Sequence, residues 1–202
     1  MPGGGTVALR QPALLGVAMF TQPLEEAIAS TRSVLGNVTA GQLDDPTPCE
    51  SWKVRDVINH VVGTQHYFVG ALTGTTPADG DPASGDFVAA FDGATGELLE
   101  AFRAEGVADR LITLPFGEIP GAAVAGVVAT DTFTHGWDLA RATGQPTDLA
   151  PDLAAALLAN AQTAISDAFR GPDGKALFGQ KQETPDTASN ADRLAAFLGR
   201  TI

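Results

Sequence analysis

Positions facing a common side recur at the helical step over most of this chain. Leu24, Ala27, Ile28, Thr31, Val34, Leu35 and Val38 recur three and four positions apart along the chain, a spacing that lines one face of a helix. Pro23 stands just before them and suits a first helical turn. The segment DDPTPCES breaks the pattern and ends at Ser51, a residue type that caps helix N-termini, so a second helix is predicted from Trp52 to about Leu72. Residues 73–85 form a turn-rich loop. Phe87, Ala90, Phe91, Ala94, Leu98, Leu99 and Phe102 then mark a third amphipathic helix. In residues 110–120, RLITLPFGEIP, β-branched side chains surround proline and glycine, which predicts a short extended connection without a sheet of its own. A fourth helix is expected from about Gly121 to Thr143, stopped by Gly144 with Pro146 close behind. It is apolar nearly all the way round, as a central helix must be. A fifth helix is expected from about Pro151 to Phe169, and a short closing helix from Ala191 to Leu198. The fold class is all-α.

Composition narrows the use of such a bundle. At 202 residues and 44% hydrophobic content, the chain fits one domain with a sizeable core. The run Ala13 to Phe20 is apolar but too short, and without the cleavage pattern, for a secretory signal. Residues 1–19, beginning MPGGG, are expected to be a flexible extension, and residues 20–202 the helical domain. A formal charge of −12, from 24 acidic against 12 basic residues, repels phosphate backbones and anionic headgroups, which argues against nucleic acid and membrane surfaces as partners. No stretch approaches the roughly 18 to 20 apolar residues of a membrane span. The single cysteine, Cys49, excludes an internal disulfide and suits a reducing compartment, so a cytoplasmic location is expected.

Candidate chemistry concentrates in the fourth helix. Asp131 and His135 stand at i, i+4 and project side by side, with Cβ atoms roughly 5 to 6 Å apart. Asp138 shares their face, which is otherwise the apolar stripe Val124, Val127, Val128, Leu139 and Ala142. A carboxylate taken out of water there must be paired, hydrogen-bonded, protonated or bound to a cation. The pair is either a hydrogen-bonded core contact or two ligands of a metal whose third ligand comes from another helix, with His60 the better placed of His60 and His66. Asp138 is expected to hydrogen-bond the other ring nitrogen of His135 or to pair with Arg141 or Arg55. Arg55 and Asp56 read as a surface or interhelical ion pair, and Trp52 and Trp137 as core or bundle-rim aromatics, either of which would serve as a wall of the site. Cys49 reads as a small packed hydrophobe. Thr64 and Tyr67 lie near His60 in the sequence and are not assigned to the site.

The segments PCESWKVRDVINHVVG and DTFTHGWDLARATGQP together resemble the mycothiol-dependent maleylpyruvate isomerase N-terminal group of actinobacterial proteins, within the DinB-like superfamily. The resemblance runs from about Phe20 onward, and the ending LAAFLGR is similar to that of single-domain members. It implies a four-helix bundle with extra C-terminal helices, and a divalent metal, zinc with nickel as the alternative, held by His60, Asp131 and His135. It further implies a thiol cosubstrate such as mycothiol, activated as thiolate to attack a small electrophile in an isomerase or thiol-transferase reaction. Asp131 departs from the glutamate of the isomerase itself, and that enzyme's additional C-terminal domain is not expected here. The competing reading is a non-catalytic bundle that binds a metal for stability or sensing. Pairing into a homodimer is compatible with the apolar surface of the fourth helix.

Overall fold

In the computed structural model, the structure describes residues 11–77, 80–172 and 175–202. Four long helices form a ring: α1 (Gln11–Leu35), α2 (Val54–Thr73), α3 (Phe87–Phe102) and α4 (Gly121–Ala142). α4 packs between α1 and α2, and α3 closes the ring against the same two. Two shorter helices, α5 (Pro151–Ala164) and α6 (Asn190–Phe197), pack on each other and on α4. Among the described residues no helix is long and apolar enough to cross a membrane.

α1 begins well before the expected start. Pro23 lies in its interior, and Gln11 to Met19, expected outside the fold, are helical; Met1 to Arg10 lie outside the described residues. Interior proline removes one backbone hydrogen bond and crowds the preceding turn at a cost of about 3 kcal/mol. Contacts on both sides offset that cost: Phe20 meets Phe102 edge-on at 6.0 Å, and Leu24 and Ala27 are fully buried.

The start of α2 also differs from expectation. Lys53, not Ser51, is the N-cap, and its backbone N–H donates to the Asp56 carboxylate at 2.9 Å. The preceding loop folds back so that the N–H groups of Val54 and Arg55 donate to the carbonyls of Asp45 and Leu43. A turn closed by the Trp52 N–H on the Cys49 carbonyl, at 2.8 Å, then sets both residues against α4, Trp52 near His135 and Cys49 near Asp138.

Residues 110–120, expected to make no sheet, form an antiparallel hairpin of β1 (Leu111–Leu114) and β2 (Gly117–Pro120), with Leu111 opposite Pro120 and Leu114 opposite Gly117. Gly117 has φ +130°, open only to glycine. A lone two-stranded ladder is not stable by itself. Here Ile112 and Leu114 alternate into the core, and β1 lies against α2 and α4.

α4 is the central element, with every residue from Thr132 to Ala140 buried. α1 crosses it at Gly136, where a Cβ would lie 2.4 Å from the Thr31 hydroxyl oxygen. That hydroxyl donates to the Thr132 carbonyl at 2.8 Å. α4 ends at Ala142, with Gly144 in the left-handed region at φ +71°. α5 stops at Ala164, short of the expected Phe169, and residues 167–169 form a separate 3-10 turn. Ser189 caps α6 by accepting from the Asp192 N–H at 3.1 Å.

Candidate metal centre

The ring positions α2 and α4 so that His60 faces the Asp131–His135 pair. His60 Nε2 lies 3.4 Å from Asp131 Oδ1, and His135 Nε2 lies 3.5 Å from the same oxygen. One ligand atom from each of the three residues falls within 4.8 Å of the others. Helical geometry alone places Asp131 beside His135; the approach of α2 to α4 brings in His60. The cluster opens to solvent on one side, since the side chains of His60 and Asp131 are 33% and 28% accessible while that of His135 is 8% accessible.

Asp131 Oδ2 is buried and has no hydrogen-bond partner among the described residues. Leaving a buried acceptor of an ionised group unmet costs at least about 1–3 kcal/mol. A cation set among these three side chains would satisfy it with a donor set of two imidazoles and a carboxylate, which suits zinc or nickel. The residues present therefore fit a divalent metal.

Behind this cluster lies a second layer that the helical spacing only partly foretold. His135 Nδ1 lies 2.9 Å from Asp138 Oδ2, one of the expected contacts of Asp138. The cationic partner is neither Arg141 nor Arg55 but Arg200, whose Nη2 reaches Asp138 Oδ2 at 2.9 Å and whose Nε reaches Oδ1 at 3.2 Å. Arg55 instead pairs with Asp44 at 3.1 Å, and Asp56 caps α2. In the neutral form that a metal requires, an Nδ1–H donated to Asp138 would leave the lone pair of His135 Nε2 directed toward Asp131 and His60.

Without a metal the network balances its own charges. Burial opposes ionisation of Asp131, but the neighbouring His135 and His60 outweigh it and hold this carboxyl well below the usual range. Burial likewise opposes the charged form of His135, yet Asp131 and Asp138 raise its pKa well above that of a free imidazole. Asp138, buried as well, is held low by Arg200 and His135.

Cys49, expected to be a packed hydrophobe, also sits at this centre. Its Sγ lies 3.4 Å from Asp138 Oδ2 and 3.5 Å from Arg200 Nη2. Cys49, His135 and Asp138 form a second set of atoms close enough to share a metal. The Arg200 guanidinium already supplies a positive charge there, which favours a metal on the His60, Asp131, His135 side.

Trp52 walls that side, its ring centroid 4.6 Å from that of His60 and 5.5 Å from that of His135. Trp137 has the core role expected, fully buried with its indole N–H donating to Asp192 Oδ1 at 2.9 Å. Thr64, one turn beyond His60, brings its Oγ1 to 3.3 Å from His60 Nε2. Its i, i+4 spacing from His60 was the signal available in the sequence. His66 turns away, 3.7 Å from Glu97, and Tyr67 packs edge-on against Phe68.

Residues 24–140 match the mycothiol maleylpyruvate isomerase N-terminal domain family, a span that contains all of His60, Asp131 and His135. The chain belongs to this family. Similar to it across most of its length is an uncharacterised protein of Mycobacterium tuberculosis, found in the CDC 1551 / Oshkosh and H37Rv strains. Each copy is 42% identical over 184 residues, covering 91% of this chain and 97% of the relative. No solved structure matches the chain. The part matched to the mycothiol maleylpyruvate isomerase N-terminal domain comprises most of the four-helix ring and ends before α5, α6 and Arg200.

Proposed function

We propose that this protein is a metal-dependent, thiol-using enzyme in which His60, Asp131 and His135 hold one divalent cation, zinc in preference to nickel. The observation that carries the reading is the convergence of the Nε2 atoms of His60 and His135 on Oδ1 of Asp131, a carboxylate whose other oxygen is buried without a hydrogen-bond partner among the described residues. The ring of four helices supports a bundle of the DinB-like type, and membership in a mycothiol-related family supports a low-molecular-weight thiol, mycothiol itself, as cosubstrate. The other substrate is a small electrophile, and the outcome is isomerisation or thiol transfer.

Three protein ligands leave coordination positions open, and a cation held by them supplies Lewis acidity that stabilises a thiolate at neutral pH. The chain's own side chains prepare that site. Asp138 accepts a hydrogen bond from the Nδ1–H of His135 and fixes the ring, so that Nε2 faces inward. Trp52 covers the two imidazoles with an apolar ring, which excludes water from one side and leaves the accessible edges of His60 and Asp131 as the entry. The Thr64 hydroxyl lies 3.3 Å from His60 Nε2, a contact that a bound cation would replace.

Metal analysis tests this reading on protein purified without chelator or nickel-affinity steps, alongside His60→Ala, Asp131→Ala and His135→Ala variants. About one equivalent of zinc or nickel in the parent, lost in each folded variant, is expected for a three-ligand centre. A parent that takes up no metal after reconstitution refutes it. Loaded protein is then screened with mycothiol and small electrophiles; a bound metal with no thiol-dependent turnover favours the non-catalytic, metal-sensing bundle instead.

A further inference from the structure

Arg200 stands outside the span that defines the family, which ends at residue 140, yet it reaches into the centre. Its guanidinium meets Asp138 with two hydrogen bonds, Nε to Oδ1 at 3.2 Å and Nη2 to Oδ2 at 2.9 Å. This is the planar two-point grip for which arginine is suited and lysine is not. The two partners are 62 residues apart in sequence.

The end of α6 delivers this side chain by a defined backbone device. The Gly199 N–H donates to the Ala196 carbonyl and the Arg200 N–H to the Ala195 carbonyl, the paired closure that ends a helix through a left-handed residue. Gly199 supplies that conformation at φ +100°. A Cβ on Gly199 would lie 2.5 Å from the Gly179 Cα, so a second backbone segment presses on the turn and fixes the direction in which the chain leaves it. Arg200 is held further by Nη1 donating to the Leu198 carbonyl at 3.2 Å.

Asp138 is fully buried, and its Oδ2 is shared between Arg200 Nη2 and His135 Nδ1, each at 2.9 Å. With Arg200 gripping both oxygens, the carboxylate cannot rotate away from the imidazole without breaking two charge-assisted bonds. The Cys49 thiol closes the remaining side of Oδ2 at 3.4 Å.

We propose that Arg200 is a positioning residue that, through Asp138, fixes the orientation and tautomer of His135 and thereby sets how tightly the centre holds its metal. The inference rests on the metal reading above and extends the centre to the segment after α6.

The test measures zinc affinity by chelator competition in the full chain, with circular dichroism as the check on folding. Arg200→Met and Asp138→Asn are each expected to weaken zinc binding by about 10- to 100-fold, the range for residues that orient a metal-bound histidine. Arg200→Lys, which keeps the charge and loses the two-point grip, falls between Arg200→Met and the parent. The double variant Arg200→Met/Asp138→Asn leaves no unpaired buried charge and so guards against a single variant that fails to fold. It is expected to bind zinc no more weakly than Asp138→Asn alone, because Arg200 acts only through Asp138. In zinc-loaded parent protein, the His135 Nδ1 proton is expected as a protected imidazole resonance, and it exchanges faster in Arg200→Met. Parent affinity and an unchanged resonance in folded Arg200→Met overturn the positioning role while leaving the metal reading intact, as does a loss in the double variant that exceeds that of Asp138→Asn. A parent that binds no zinc overturns both.

Discussion

Replacing Gly136 with alanine probes the contact that holds the central helix in place. Gly136 sits between His135 and Trp137, where α1 crosses α4, and an added Cβ would lie 2.4 Å from Thr31 Oγ1, 3.1 Å from its Cβ and 3.2 Å from its Cα. Rotating the Thr31 side chain relieves the first contact but not the other two, so the helices must separate. Overpacking of this kind costs about 1–3 kcal/mol. Displacing the Thr31 hydroxyl also endangers its bond to the Thr132 carbonyl, worth about 0.5–1.5 kcal/mol. Against this, alanine in a helix interior recovers about 1 kcal/mol relative to glycine. The net expectation is a loss of about 1–3 kcal/mol, seen in urea unfolding followed by circular dichroism as a lower midpoint with an unchanged slope. Thr31→Ala in the Gly136→Ala background removes the nearest atom and is expected to restore part of the loss. Gly136→Ala protein as stable as the parent, or more so, would show that helix propensity outweighs the clash and that the two helices do not meet as closely as described.

Two further outcomes follow from the packing. Burial opposes ionisation of Asp192, but the Trp137 indole and the Ser189 cap outweigh it and hold this carboxyl below its ordinary value. Its stabilising effect is therefore complete above the unfolded pKa of about 3.9 and is lost as pH falls through the lower folded value. The stability gap between the parent and Asp192→Asn, measured by urea unfolding, should be present at pH 7 and shrink toward pH 3; a gap that is constant over that interval refutes the assignment. Phe91, fully buried on α3 among the residues that pack on α2, should cost about 3–5 kcal/mol on truncation to alanine, and a loss under 1 kcal/mol in thermal or urea unfolding would contradict its burial.

The helices were legible because their spacing is local. A 3.6-residue period marks α2, α3 and α4 wherever a buried face exists, and the same period sets Asp131 beside His135 whatever surrounds them. Gly144 likewise announces a helix end through its own backbone chemistry. The start of α1 was misread because proline favours a first turn only on balance, and Phe20 against Phe102 decides otherwise from the far side of the bundle. The hairpin escaped because four-residue strands carry almost no periodicity and are stabilised by the core beneath Ile112 and Leu114.

What the sequence by itself determined is the set of helical faces, the adjacency of Asp131 and His135, and the family resemblance that singled out His60. Only the tertiary structure decided that α2 brings His60 to that pair, that Trp52 covers it, and that Cys49 and Arg200 meet at Asp138 from 89 and 62 residues away. The division has a physical cause. Contacts within a helix are set by its fixed rise and turn, whereas contacts between elements depend on how every buried side chain in the core packs together.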